Sequence, residues 1–206
     1  MARSIAAAFL MVLVGALAGG CWQPTDNGGP DDPPEWELRD TPQHVLDNLV
    51  KAYKNKDAVH YLDCLAEDFI FFVNPDELAG HPELEPGSWG KAEERGIHEQ
   101  MFGTEGDHAD RIELTLSQIG DPIQVEPFPG GILWQYRQAV DLRITIAAMT
   151  YLASAPSLFE FRIDEDEVGP NGETLWEIIS WYDLAPSQRG GSRQSRTWSS
   201  IKALFR

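Results

Sequence analysis

The stretch TPQHVLDNLVKAYKNKDAVHYLDCLAEDF, residues 41–69, carries the signals on which the fold turns. Thr41-Pro42 is a helix start. The threonine hydroxyl suits the cap, and proline suits the first helical position, where a missing N–H costs nothing. Val45, Leu46, Leu49, Val50 and Tyr53 then share one face at helical spacing. Asp57 can cap a second helix carrying Ala58, Leu62 and Leu65, and Cys64 lies within it as a buried, inert thiol. Residues 69–73 form a short β-rich run closed by Asn74-Pro75-Asp76. Residues 75–88, rich in Pro, Gly and Glu, read as a loop. Ser88 is expected to cap a third helix reaching about Phe102, with Ile97 and Met101 facing inward.

Beyond that helix the period changes from helical to alternating. Residues 111–119 read as a strand, with Ile112, Leu114 and Leu116 set against Glu113, Thr115 and Ser117. Residues 132–147 make a long strand with Trp134, Tyr136, Val140, Leu142 and Ile144 on one face. Residues 157–164 and 174–183 are two more strands, joined through the acidic stretch 165–172 as a hairpin connection. Residues 197–205 read as a short final helix. Helices followed by long strands make an α+β pattern. The expected packing is three N-terminal helices on a curved antiparallel sheet, a cone-like roll of the cystatin type.

The opening stretch, with its Asn55-Lys56-Asp57 break and its Asp68-Phe69 leading into a strand, resembles the start of nuclear transport factor 2-like proteins. The superfamily includes ketosteroid isomerase and the polyketide cyclase-like proteins. The tryptophan-bearing last strand, Leu175-Trp176-Glu177-Ile178-Ile179-Ser180-Trp181-Tyr182-Asp183, is similar too. The resemblance covers residues 41–184 and implies a cone with a pocket between sheet and helices. It transfers no catalytic residue, and the superfamily hosts isomerases, dehydratases, binding domains and assembly modules alike.

The N-terminus reads as an export signal. Arg3 precedes an apolar run over residues 5–17, and Ala18, Gly19 and Gly20 lead into Cys21. This resembles a lipobox, in which the cysteine receives a diacylglyceryl group, although Leu17 stands four places before Cys21 where the usual pattern has it three before. The expected division is a signal over 1–20, a Pro/Gly/Asp-rich tether over 21–35 and one domain over 36–206 with a basic C-terminal segment. The expected location is the cell envelope, lipid-anchored through Cys21. Trp22 after the cysteine points to the periplasmic face of the outer membrane where the cell has two membranes.

The chain of 206 residues carries 16 basic and 33 acidic side chains, a formal charge of −17. Arg3 is the one charge in residues 1–20, so removing them leaves −18. Such a surface repels phosphate backbones and argues against nucleic-acid binding. Against this background Arg189, Arg193, Arg196, Lys202 and Arg206 follow Asp183 with no acid among them. They either touch an anionic lipid or another protein's acidic face, or pair with the domain's own carboxylates.

No motif specifies a reaction. A Gly-x-Ser-x-Gly elbow, a phosphate loop and a dinucleotide fingerprint are all missing from the sequence. No cofactor is expected, and no metal: His81-Pro82-Glu83 matches no established ligand spacing. An isomerase-type site needs a carboxylate base in an apolar pocket, and a dehydratase-type site pairs His with Asp. The candidates are His98, Asp183 and Tyr136. His98 follows Glu94 by four residues, where a surface ion pair is an equal reading, and Asp183 also suits a plain strand end. Trp134, Phe161, Trp176 and Trp181 either line a pocket for a small apolar ligand or fill the core. Two function classes stand: a non-catalytic binding or assembly module, which includes a homodimer through the sheet face, and a small-molecule isomerase or dehydratase.

Overall fold

A computed structural model describes residues 35–78, 81–106, 108–128, 131–184 and 197–206. Cys21, the signal and the tether up to residue 34 lie outside the described residues, as do Arg189, Arg193 and Arg196.

Local chemistry sets the first elements. Helix α1 spans Pro42–Asn55. Thr41 caps it by accepting from the His44 N–H at 3.1 Å. Lys56 closes it in a left-handed conformation, and Asp57 caps α2, Ala58–Asp63, through the His60 N–H at 3.0 Å. The buried face of α1 is Val45, Leu46, Leu49, Ala52 and Tyr53, with Asn48 among them holding both the N–H and the carbonyl of Glu37.

The second helix stops short of the expected Leu65. Cys64 ends it, and its carbonyl takes the Ile178 N–H at 2.9 Å, so the chain is drawn into strand β1, Leu65–Phe72. Cys64 is buried, as read from the sequence, and burial pushes its thiol up to about 12, which leaves it unreactive. The expected loop over 75–88 holds a four-residue helix α3, Pro75–Leu78, and a 3₁₀ turn, Pro82–Leu84. Ser88 is not a helix cap. Ser88–Gly90 forms strand β2 against β1, and Gly90 occupies the cap of α4, Lys91–Phe102.

The remaining strands are β3, Arg111–Gln118; β4, Ile123–Phe128; β5, Gly131–Ile146; β6, Met149–Ala153; β7, Pro156–Val168; and β8, Thr174–Asp183. Strand β7 runs four residues further than expected, so the acidic stretch up to Val168 belongs to it and the turn is shorter. The sheet order is β2-β1-β8-β7-β5-β3, with β4 and β6 also paired to β5. The sheet is mixed and not purely antiparallel as expected, because β1 and β8 run parallel.

Strand β5 is the spine. Its 16 residues pair with β3 and β4 along one edge and with β7 and β6 along the other. A sheet pinned to so long a strand twists along it, and the register breaks between β7 and β8 bend it further, giving a large curved, unclosed sheet. Val140, Leu142 and Ile144 on β5, Phe159 and Phe161 on β7, and Ile178 and Trp181 on β8 meet the helices in one core. Helix α5, Trp198–Lys202, and the 3₁₀ turn Ala203–Phe205 add Trp198, Ile201 and Phe205 to it.

Candidate functional site

Helix α4 brings charge into this core. Ile97 and Met101 mark its buried face, and Glu94 and His98 lie on the same face one turn apart, both fully buried. The Glu94 carboxylate accepts from three donors. Tyr61 of α2 donates its hydroxyl to Oε1 at 2.5 Å, Trp89 of β2 donates its indole N–H to Oε2 at 2.5 Å, and the Lys202 ammonium of α5 also bonds Oε1. His98 Nδ1 lies 2.9 Å from the Glu94 carbonyl oxygen, which can only accept, so Nδ1 carries the proton. Nε2 is then an acceptor for the Tyr53 hydroxyl of α1 at 2.5 Å. The Tyr61 ring stacks on His98 at 3.7 Å.

A second carboxylate closes the group. Asp183, at the end of β8, is 3 % exposed, and its Oδ2 accepts the Ser199 N–H at 2.6 Å and the Ser199 hydroxyl at 2.5 Å. Its Oδ1 is buried without a hydrogen-bond partner. Lys202 is likewise fully buried, its ammonium 3.7 Å from the centre of the Phe71 ring and 4.4 Å from that of Trp181.

Burial sets the direction for three of the groups. It pushes His98 down to about 3, against the pull of Glu94, so the ring is neutral at pH 7. It pushes Asp183 up to about 6, although the Ser199 bonds favour the charge. It pushes Lys202 down to about 8, with Glu94 working the other way. Burial is the largest influence on Glu94 too and opposes its charge, but the Lys202 ammonium, His98 and the Tyr61 hydroxyl together hold the carboxyl below its usual range. At neutral pH the pair is therefore ionic. Burial raises both Tyr53 and Tyr61 well above an ordinary phenol, so they act as donors.

In the described residues α1, α2 and α4 contact a curved, unclosed sheet whose last strand pairs with the strand following α2. Solved structures similar to this chain include a conserved protein from Planctomyces limnophilus, with 17% identity, a TM-score of 0.49, and coverage of 69% of this chain and 91% of that one. Others are a putative aromatic ring hydroxylase from Novosphingobium aromaticivorans (14%, 0.49, 73% and 90%) and a nuclear transport factor 2-like superfamily protein from Salmonella enterica serovar Typhimurium (13%, 0.44, 72% and 91%). No family model and no curated protein matches the chain. At these identities and scores the likenesses carry nothing about activity.

Within this fold the residues singled out from the sequence part company. His98 and Asp183 both join the buried group around α5. The surface ion pair of Glu94 with His98 does not form: both side chains are fully buried, and Lys202 supplies the countercharge. Asp183 is no exposed strand end. Tyr136 lies further along β5, half-buried and edge-on to Phe161 at 5.2 Å. Trp181 and Phe161 are fully buried, with Trp181 packed on Phe159 at 4.6 Å and on Trp198 at 4.4 Å, while Trp134 and Trp176 are partly buried against the core. Arg206 pairs with Glu93, so the two described cations of the basic segment both turn to the domain's own carboxylates.

The sequence reading missed Tyr53, Tyr61 and Trp89 as polar partners, and above all Lys202. A signal for Lys202 exists. Trp198, Ile201 and Phe205 fall at helical spacing, and Lys202 sits on that same apolar stripe.

Proposed function

We propose that the domain is a non-catalytic binding or assembly module, held at the cell envelope by a lipid on Cys21, on a frame of three helices laid in a cystatin-type roll. What supports the module over the enzyme is the engagement of the acid–base groups. Glu94 takes three internal donors, both His98 nitrogens are bonded within the chain, and one Asp183 oxygen is held by Ser199. A general acid or base must come within about 3 Å of the proton it moves, and these groups face the chain's own side chains instead. Two solvent-open grooves lie elsewhere, one walled by Val50, Lys54, Arg111 and Leu114, the other by Arg39, Lys91, Asp164 and Glu177.

Anchoring is supported by the small residues before Cys21 and the apolar run behind them. Assembly with a second copy would use the sheet face turned from the helices, where exposed Ile70 stands beside the stacked Phe72 and Tyr182. Cys21→Ala should abolish labelling of the protein by a lipid analogue in the producing cell, and unchanged labelling would remove the anchor. The isomerase or dehydratase reading keeps one observation in its favour: the unpartnered Oδ1 of Asp183, on a carboxyl raised to about 6.

A further inference from the structure

Lys202 is an unusual core residue. An ammonium sealed from water is costly unless its surroundings replace hydration, and an apolar side chain of similar volume would fill the same space at less cost. Here the replacement is thorough. Glu94 supplies the countercharge, and its other bonds, from Tyr61 and Trp89, fix the carboxylate in place. Aromatic rings surround the ammonium: Phe71 at 3.7 Å, Trp181 at 4.4 Å and Trp89 at 5.7 Å. Phe71 stacks on Trp89 at 4.6 Å and meets Trp181 edge-on at 5.5 Å, so the walls brace one another without help from Lys202.

A fixed carboxylate inside a box of aromatic faces is the chemistry that recognises an alkylammonium. The box is built from α2, β1, β2, α4 and β8, whereas its occupant arrives on the separate segment 197–206. That segment's seat is imperfect, since Asp183 keeps one buried oxygen unpartnered where it meets Ser199. We propose that the cone contains a binding site for a small primary alkylammonium, and that Lys202 is its intrachain occupant. The ligand class follows from the contacts: a primary ammonium for Glu94, on a short unbranched chain for the aromatic walls. The inference rests on the binding-module reading in one respect, that the cone holds its ligand without converting it. It does not depend on the anchor, whose failure would show in lipid labelling and not in the experiment below.

Lys202→Ala in the full chain removes Cγ to Nζ, and propylammonium replaces those atoms one for one. Thermal unfolding of the variant is followed while propylammonium chloride is added, with 1-propanol and sodium chloride as matched controls. The melting temperature should rise with the logarithm of concentration above the dissociation constant, by about 4 °C near tenfold excess over it, with propylammonium alone. The double variant Lys202→Ala with Glu94→Gln should not respond. An equal response to 1-propanol, or none to the ammonium, overturns the proposal. Should Lys202→Ala not fold unaided, refolding yield becomes the readout: recovery with propylammonium and not with 1-propanol supports the site, and equal yields with both overturn it.

Discussion

Replacing Asp183 by asparagine tests whether the buried carboxylate is a burden the fold tolerates. Its carboxyl stands at about 6, against an ordinary 3.8. A unit of pKa is worth about 1.4 kcal/mol, so ionising Asp183 costs about 3 kcal/mol more in the folded chain than in the unfolded one. Between pH 3.8 and 6 the folded chain keeps a proton that the unfolded chain releases. The parent therefore loses this stability as pH rises through that window, and asparagine cannot lose it. The gap between variant and parent should widen by about 2 kcal/mol in the variant's favour from pH 4 to pH 6.5. Asparagine can still accept from Ser199, and its amide nitrogen falls where Oδ1 has no partner. That shifts the whole curve by about 1 kcal/mol against the variant without changing its shape. Urea unfolding followed by the fluorescence of buried Trp181 and Trp198 reads the gap, and 2 kcal/mol moves the midpoint by about 1 M. A gap that stays flat with pH would refute the reasoning, because Asp183 would then ionise as easily folded as unfolded.

His98 works in the opposite sense. Unfolded it takes a proton near pH 6.5 that the buried ring refuses until about 3, so stability falls as pH drops through that window, by up to about 5 kcal/mol. His98→Gln should flatten this loss in acid titrations of stability, and an unchanged acid midpoint would contradict it. Trp198→Ala should cost about 3–5 kcal/mol by urea unfolding, as for a large side chain removed from a core, and a loss below about 1 kcal/mol would mean that segment 197–206 does not pack there. At the turn between β5 and β6, Ala147 and Ala148 both hold positive φ, 47° and 67°, a conformation that suits Asn-Gly. Ala147→Asn with Ala148→Gly should raise the melting temperature by about 3 °C, equivalent to about 1 kcal/mol, and a fall would show that the turn relaxes in solution.

The parts of the fold legible in the sequence are those whose causes are local. Thr41-Pro42 and Asp57 place their helices because a cap acts within three residues, and β3 and β5 declare themselves by alternation. Leu65 and Ser88 were misread because their partners are distant: Leu65 pairs with Ile178, and Ser88 pairs with Phe72. Strand β6 hid behind a turn of two alanines, which carries none of the usual turn residues. The buried site was half legible for the same reason. His98 and Asp183 announced themselves as ionisable groups among apolar neighbours, but Glu94 and Lys202 lie 108 residues apart, and Lys202 was counted with the surface arginines. Yet both members of the pair break their local pattern. Glu94 sits on the apolar face of α4 and Lys202 on the apolar stripe of α5. Neither charge can stay in a core alone, since an unpaired buried ion costs several kcal/mol. Two misfits of opposite sign on two core-facing stripes, in a domain with one hydrophobic core, have their cheapest solution in each other, and that inference needed only the sequence.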